Sequence, residues 1–138
     1  MQTELRAWTI HNSLELYNVT GWGRDFFSIN DLGNVEVTPA GPGSTRIDLK
    51  ELVDDLRNRG LNLPLLIRFS DILKTRIEQL SGAFQQAILD NDYKGAYRGV
   101  YPIKVNQQRH VVEELMEYGR PFNLGIEAAQ VGLVLAAW

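Results

Sequence analysis

Apolar residues along this chain change their spacing partway through, and the change separates two kinds of secondary structure. Near the start, Leu14, Leu16 and Val19 read as short β-like runs leading into Thr20-Gly21-Trp22-Gly23, where two glycines around a tryptophan suggest a bend or close backbone contact. Phe27 and Ile29 then alternate with polar residues, Asp31-Leu32-Gly33-Asn34 supplies a turn, and Val35 and Val37 resume the alternation. This pattern predicts a small hairpin. Two strands alone are marginal in water, and the sequence shows no evident partner for them.

The run Thr38-Pro39-Ala40-Gly41-Pro42-Gly43-Ser44-Thr45 disfavours regular structure and marks a boundary, with a β region and linker over residues 1–44 and a second domain over 45–138. Beyond it the period becomes helical. Leu49, Leu52, Val53 and Leu56 fall at i, i+3, i+4 and i+7, with Asp48 placed to cap, Glu51 three residues later and Gly60 past the end. Residues 63–69 form an apolar run without alternation, as expected of a strand covered on both faces. A helix follows, capped by Ser70 or Asp71 and carrying Leu73, Ile77, Leu80, Phe84 and Ala87 until Asp90-Asn91-Asp92 stops it. Residues 96–105 read as a strand. Val111, Val112, Leu115 and Met116 mark a helix ending at Gly119, residues 121–127 a further strand, and residues 128–138 a helical tail.

The fold class is therefore α/β. Alternating strands and helices imply a parallel sheet with crossover helices, either open or closed into a barrel. Three strands cannot close an eight-stranded barrel, so a barrel would be represented by its first part alone.

Composition narrows the partners. At 138 residues, with 44% hydrophobic and 22% charged residues, the chain can bury one ordinary core. A net charge of −3 gives no basic footprint for nucleic acid. With no cysteine there is neither a disulfide nor a thiolate metal site. The first residues lack the pattern of a signal peptide and no apolar run reaches membrane-spanning length, so a cytoplasmic protein without a membrane partner is expected.

Function in either architecture collects at the carboxyl ends of parallel strands, where Lys104, Asn106 and Gln107 close one strand and Glu127 closes the next. A lysine in apolar surroundings loses hydration of its charged form, and its neutral amine can attack a carbonyl, as in a Schiff base with pyridoxal phosphate. A strand-end lysine with its stem on the sheet and its ammonium in water fits the same residues. The remaining candidates have ordinary explanations. His110 stands near a helix start, His11 has no partner, and Asp71 and Glu127 are single carboxylates suited to caps or surface. Trp8 and Trp22 suit packing. No pair of histidines or carboxylates has metal-ligand spacing, and neither common glycine-rich phosphate loop is present.

Longer motifs carry more information. Leu16-Tyr17-Asn18-Val19-Thr20-Gly21-Trp22-Gly23, Phe27-Ser28-Ile29-Asn30, Leu63-Pro64-Leu65-Leu66-Ile67-Arg68-Phe69-Ser70-Asp71-Ile72-Leu73 and Gly99-Val100-Tyr101-Pro102-Ile103-Lys104-Val105-Asn106-Gln107 occur in that order. Together they resemble the N-terminal part of the biosynthetic arginine decarboxylase family over about residues 5–127.

The resemblance implies a lyase of the alanine-racemase-like class, in which a pyridoxal 5'-phosphate-binding β/α barrel of TIM type is joined to a β domain. The chain would then hold the first part of the barrel, preceded by a short β-hairpin region belonging to the β domain. Family members convert L-arginine to agmatine and carbon dioxide in polyamine biosynthesis, towards putrescine and spermidine. They use magnesium as well as pyridoxal phosphate and share active sites between subunits, which implies a homo-oligomer at full length. Lys104 stands where the family's lysine forms its internal aldimine.

The sequence departs from the family in two respects. Family members are several times longer, and the residues that would hold the phosphate, the pyridine nitrogen and the guanidinium fall beyond residue 138. After the Glu127 position the family continues with glycine, serine and lysine, whereas this chain reads Ala128-Ala129-Gln130-Val131-Gly132. An incomplete record or a frame slip near Ala129 is the expectation there. A second functional reading is a catalytically inactive chain that binds a protein partner through unpaired strand edges and its apolar tail.

Overall fold

The computed structural model describes residues 7–128, which fall into two compact units dividing between Phe69 and Ser70. Both contain α and β elements.

The first unit opens with two short helices, α1 (Ile10–Leu16) and α2 (Val19–Gly23), where β-like runs were expected over Leu14, Leu16 and Val19. Local capping accounts for the difference. Asn12 N–H donates to Thr9 Oγ1 at 3.3 Å while Thr9 N–H donates to Asn12 Oδ1 at 3.0 Å, a reciprocal box that satisfies backbone donors the first turn would otherwise leave unpaired. The close approach expected at the glycine pair is present. A Cβ added to Gly23 would lie 2.8 Å from the Cβ of Phe27, a distance only glycine tolerates.

The predicted hairpin forms as β1 (Phe27–Ile29) and β2 (Val35–Val37), antiparallel, with Phe27 opposite Val37 and Ile29 opposite Val35. Gly33 takes a φ of 79° in the connecting turn, where Asn30 Oδ1 accepts from the N–H groups of Leu32 and Asn34. The hairpin does have a partner: β3 (Ile47–Asp48) pairs antiparallel with β2 and completes a three-stranded sheet. Val19, Phe26 and Val37 are its buried apolar residues, with Val37 fully enclosed.

Helix α3 (Leu49–Asn58) follows directly. Its cap is the predicted one, with Asp48 Oδ1 accepting from the N–H groups of Lys50 at 2.8 Å and Glu51 at 3.2 Å. Gly60, at φ 92°, lies just beyond its end. Residues 63–69, expected as a strand, have no ladder partner among the described residues and form none. An extended run is a strand only when another backbone pairs with it, whatever its apolar content. Leu63 and Leu66 are 60% and 78% exposed, far from the two-sided cover that the reading required.

The second unit follows the sequence pattern more closely. Helix α4 (Ser70–Asp90) packs on α5 (Arg109–Gly119), and α5 connects two strands, β4 (Val100–Pro102) and β5 (Gly125–Glu127), that pair in parallel. Both strands are shorter than predicted. Residues 96–99 and 103–105 flank β4 as coil and turn, and a 3₁₀ turn (Arg120–Phe122) with Pro121 occupies the first half of the second expected strand. Pairing begins at Val100 opposite Gly125 and ends at Pro102 opposite Glu127.

Two apolar clusters hold this βαβ arrangement. Ile77, Val111 and Leu115 form one, with Leu73, Tyr118, Phe122 and Leu124 against it. Ile103 and Val112 form the other, with Ile126 and Ala128. Tyr101 packs against both. The helical tail expected from Ala128 onward lies outside the described residues apart from Ala128 itself.

Candidate functional site: the turn carrying Lys104

Lys104 sits in a tight turn at the carboxyl end of β4, between the parallel strand and α5. Val105 N–H donates to the Pro102 carbonyl at 3.0 Å, closing the turn with Ile103 and Lys104 at its two central positions. Those neighbours have opposite fates. Ile103 is 1% exposed and inserts between β4, β5 and α5, whereas Lys104 is exposed. Ile103 N–H also donates to the Glu127 carbonyl at 3.0 Å, so the end of β5 holds the turn from the side.

Beyond the turn, Tyr101 Oη donates to the Asn106 carbonyl at 3.2 Å, and Asn106 Oδ1 accepts from Gln108 N–H at 3.0 Å just before α5 begins. Lys104, Asn106 and Gln107 thus follow β4 on the path into α5, with the Asn106 side chain accepting from the backbone there.

Lys104 differs from two of the other lysines in its surroundings. Lys50 is paired with Asp54 at 2.6 Å, and the Asp54 hydrogen bond and charge raise the Lys50 pKa. Lys94 is paired with Asp92. Among the described residues the Lys104 amine has no hydrogen bond and no ion pair, and the Glu127 side chain is not tied to it.

The remaining sequence candidates stand apart from this turn. His110 is exposed in the first turn of α5, and His11 is exposed in α1. Asp71 is exposed at the start of α4, and the Ser70 hydroxyl donates to Glu114 Oε1 at 2.7 Å, tying α4 to α5. Trp8 donates its indole N–H to Ser13 Oγ, and Trp22 lies tilted against Phe27 with ring centroids 5.2 Å apart. An apolar groove of about 430 Å³ lies at the far end of α4, where the stacked rings of Phe84 and Tyr97 are 3.8 Å apart; Lys104 does not line it.

Four residues have roles that escaped sequence reading. Tyr101 supports the lysine turn through a hydroxyl whose target is five residues away, a distance no periodicity encodes. Glu36 is 7% exposed and accepts from Ser28 Oγ at 2.6 Å and Arg46 Nη1 at 2.9 Å. The alternation of Val35 and Val37 marks Glu36 as polar, but strand pairing alone determines that it is covered. Asn30 and Asn34 both donate to Asp48 Oδ2, at 2.7 and 2.9 Å, and the Asn34 bond in particular holds the Asp48 carboxyl below the usual carboxylate range.

An amine at the end of a parallel strand, without a partner among the described residues, is the one covalent group that pyridoxal phosphate would need from this chain. Among the described residues there is no cluster of three or more histidines and carboxylates able to hold a metal ion. Among the described residues no helix is long and apolar enough to cross a membrane.

A lysine-bearing turn at the carboxyl end of a parallel βαβ unit is the layout of α/β proteins that do chemistry at strand ends. Comparison with known proteins makes the relationship specific. No family model matches the chain. It is 56% identical over 133 residues to a biosynthetic arginine decarboxylase of Gloeobacter violaceus, an alignment covering 96% of this chain and 21% of that protein. It is 53% identical over 123 residues to a namesake from Nostoc sp. and 55% identical over 124 residues to one from Bacteroides thetaiotaomicron, covering 89% and 90% of this chain. The chain belongs to the biosynthetic arginine decarboxylase family and spans about a fifth of the length of the curated relatives it matches.

Proposed function

We propose that this chain supplies the cofactor-anchoring part of a pyridoxal phosphate-dependent arginine decarboxylase, with Lys104 as the residue that attaches the cofactor. In this reading the parallel unit of β4, α5 and β5 is part of a TIM-type β/α barrel, the hairpin belongs to a β domain, and the whole protein converts L-arginine to agmatine and carbon dioxide. The observation that supports it is Lys104 itself, an exposed amine on a braced turn at a parallel strand end, free of carboxylate partners among the described residues.

When bound, pyridoxal phosphate supplies an electron sink for the pair released as a carboxylate departs as carbon dioxide. The chain's own residues do the holding. Lys104 Nζ must lose its proton before its lone pair can attack a carbonyl, and among the described residues it has no carboxylate partner such as Asp54 is to Lys50. Ile103, buried beside it, and the Ile103 N–H bond to Glu127 fix the backbone from which the amine projects.

The test is reductive trapping. The chain is mixed with pyridoxal phosphate and borohydride, and the label is mapped over Lys50, Lys74, Lys94 and Lys104, with the full-length Gloeobacter violaceus relative as a labelled control. The expected result is weak total labelling concentrated at Lys104, since one covalent bond without a phosphate cradle gives little positioning. Label spread evenly over the four lysines, with the control labelled at one, would sink the reading.

A further inference from the structure

We propose that Tyr101 is a positioning residue for Lys104, its hydroxyl clamping the turn from which the amine projects; this rests on the cofactor role given to Lys104 above. Tyr101 lies in the middle of β4, opposite Ile126, with its ring against both apolar clusters of the second unit. Its root is therefore fixed in the core. The hydroxyl reaches forward and donates to the Asn106 carbonyl at 3.2 Å, so that residues 102–105, Lys104 among them, are enclosed between two points held by one side chain.

The other restraints lie on one side of Lys104 or within the turn. Ile103 is anchored by burial and by its N–H bond to Glu127, and Val105 N–H closes back on Pro102. On the far side, the Asn106 side chain accepts from Gln108 N–H. The Tyr101 hydroxyl thus returns the chain after Lys104 to the strand before it, and it does so one residue beyond the span that the Val105–Pro102 bond closes. A reactive amine gains from such bracing because small displacements of a nucleophile cost large factors in rate.

Tyr101→Phe removes the hydroxyl and keeps the ring in both clusters. Tyr118→Phe, on the Ile77 cluster, is the control for losing a tyrosine hydroxyl from the same core. The first readout is amide hydrogen exchange of Val105, expected to quicken about 2- to 10-fold in Tyr101→Phe, the range set by one hydrogen bond of ordinary net strength, and to stay unchanged in Tyr118→Phe. The second is the share of borohydride-trapped pyridoxal phosphate on Lys104, expected to fall in Tyr101→Phe towards that on Lys74.

Unchanged Val105 exchange overturns the proposal. So does quickened exchange with label still concentrated at Lys104, because order in the turn would then be irrelevant to the amine. A wild-type chain with no preference for Lys104 removes the cofactor reading and this proposal with it. That failure is distinguishable, since a proposal that fails alone leaves the wild-type preference intact.

Discussion

Asp48 and Lys104 occupy matching places in the two units. Each stands where a strand gives way to a helix, Asp48 as the last residue of β3 before α3 and Lys104 in the turn between β4 and α5. Their charges are handled in opposite ways. Both carboxylate oxygens of Asp48 are engaged, one by the N–H groups of Lys50 and Glu51 and the other by Asn30 and Asn34. The Lys104 amine has no such partner among the described residues, while the backbone around it is held by Ile103, Tyr101 and the Val105 turn. A charge surrounded by fixed partners serves architecture. A charge left open on a fixed backbone is what the proposed cofactor role of Lys104 requires, and the contrast with Asp48 is what the substitutions below test.

Substitutions can break this comparison or sharpen it. The largest effect is expected from Ile103→Ala, which empties a fully buried site and should destabilise the second unit by about 2–5 kcal/mol. Hydrogen exchange should quicken across β4, α5 and β5 while the β1–β2 amides keep their rates; equal quickening in both would deny that the Lys104 turn has a support of its own.

Next is Val37→Ala. Loss of this enclosed side chain should cost the first unit about 1.5–3 kcal/mol, read as faster exchange in β1 and β2.

The Asp48 arrangement should fail in acid. Its folded pKa is lowered, chiefly by the Asn34 hydrogen bond, so its contribution to stability is fully present above the ordinary aspartate value and is lost as pH falls below about 4 through the folded value. Exchange at Lys50 and Glu51 N–H, the two capped amides, should quicken over that window in the wild type. In Asp48→Asn, which keeps an acceptor but cannot titrate, the pH step should vanish.

Lys104→Ala is expected to change stability least, within about 0.5 kcal/mol by denaturant unfolding, because an exposed side chain without partners among the described residues is being removed. Label at that position should disappear with it. A larger loss of stability would mean that Lys104 is part of the architecture after all, as Asp48 is.

Much of this was legible in local pattern. The Asp48 cap, the Gly60 stop, the hairpin with its turn at Gly33 and the end of α4 at Asp90 depend on neighbours within a few residues, and each formed as read, whereas Ser70 and Asp71, read as the cap of α4, lie within it, with the Ser70 hydroxyl on Glu114. The pairing of β4 and β5 followed from the βαβ order. The misreadings have local and non-local causes. Leu14, Leu16 and Val19 lie in helices because the Thr9–Asn12 box decides the first of them, a short-range signal outweighed in the reading by apolar alternation. Residues 63–69 needed a second backbone to become a strand, and apolar composition cannot supply one.

For the site, sequence by itself determined which lysine stands at the end of a strand and before a helix, because strand and helix periods are written in adjacent side chains. Long ordered motifs, matching relatives over most of the chain, determined the family. Only the tertiary structure decided that β3 completes the first sheet, that Glu36 is covered, that Ile103 rather than Lys104 turns into the core, and that the Tyr101 hydroxyl returns to Asn106. These outcomes depend on what lies opposite each residue in space, which hydrogen bonding and burial settle between distant parts of the chain and no local period can express.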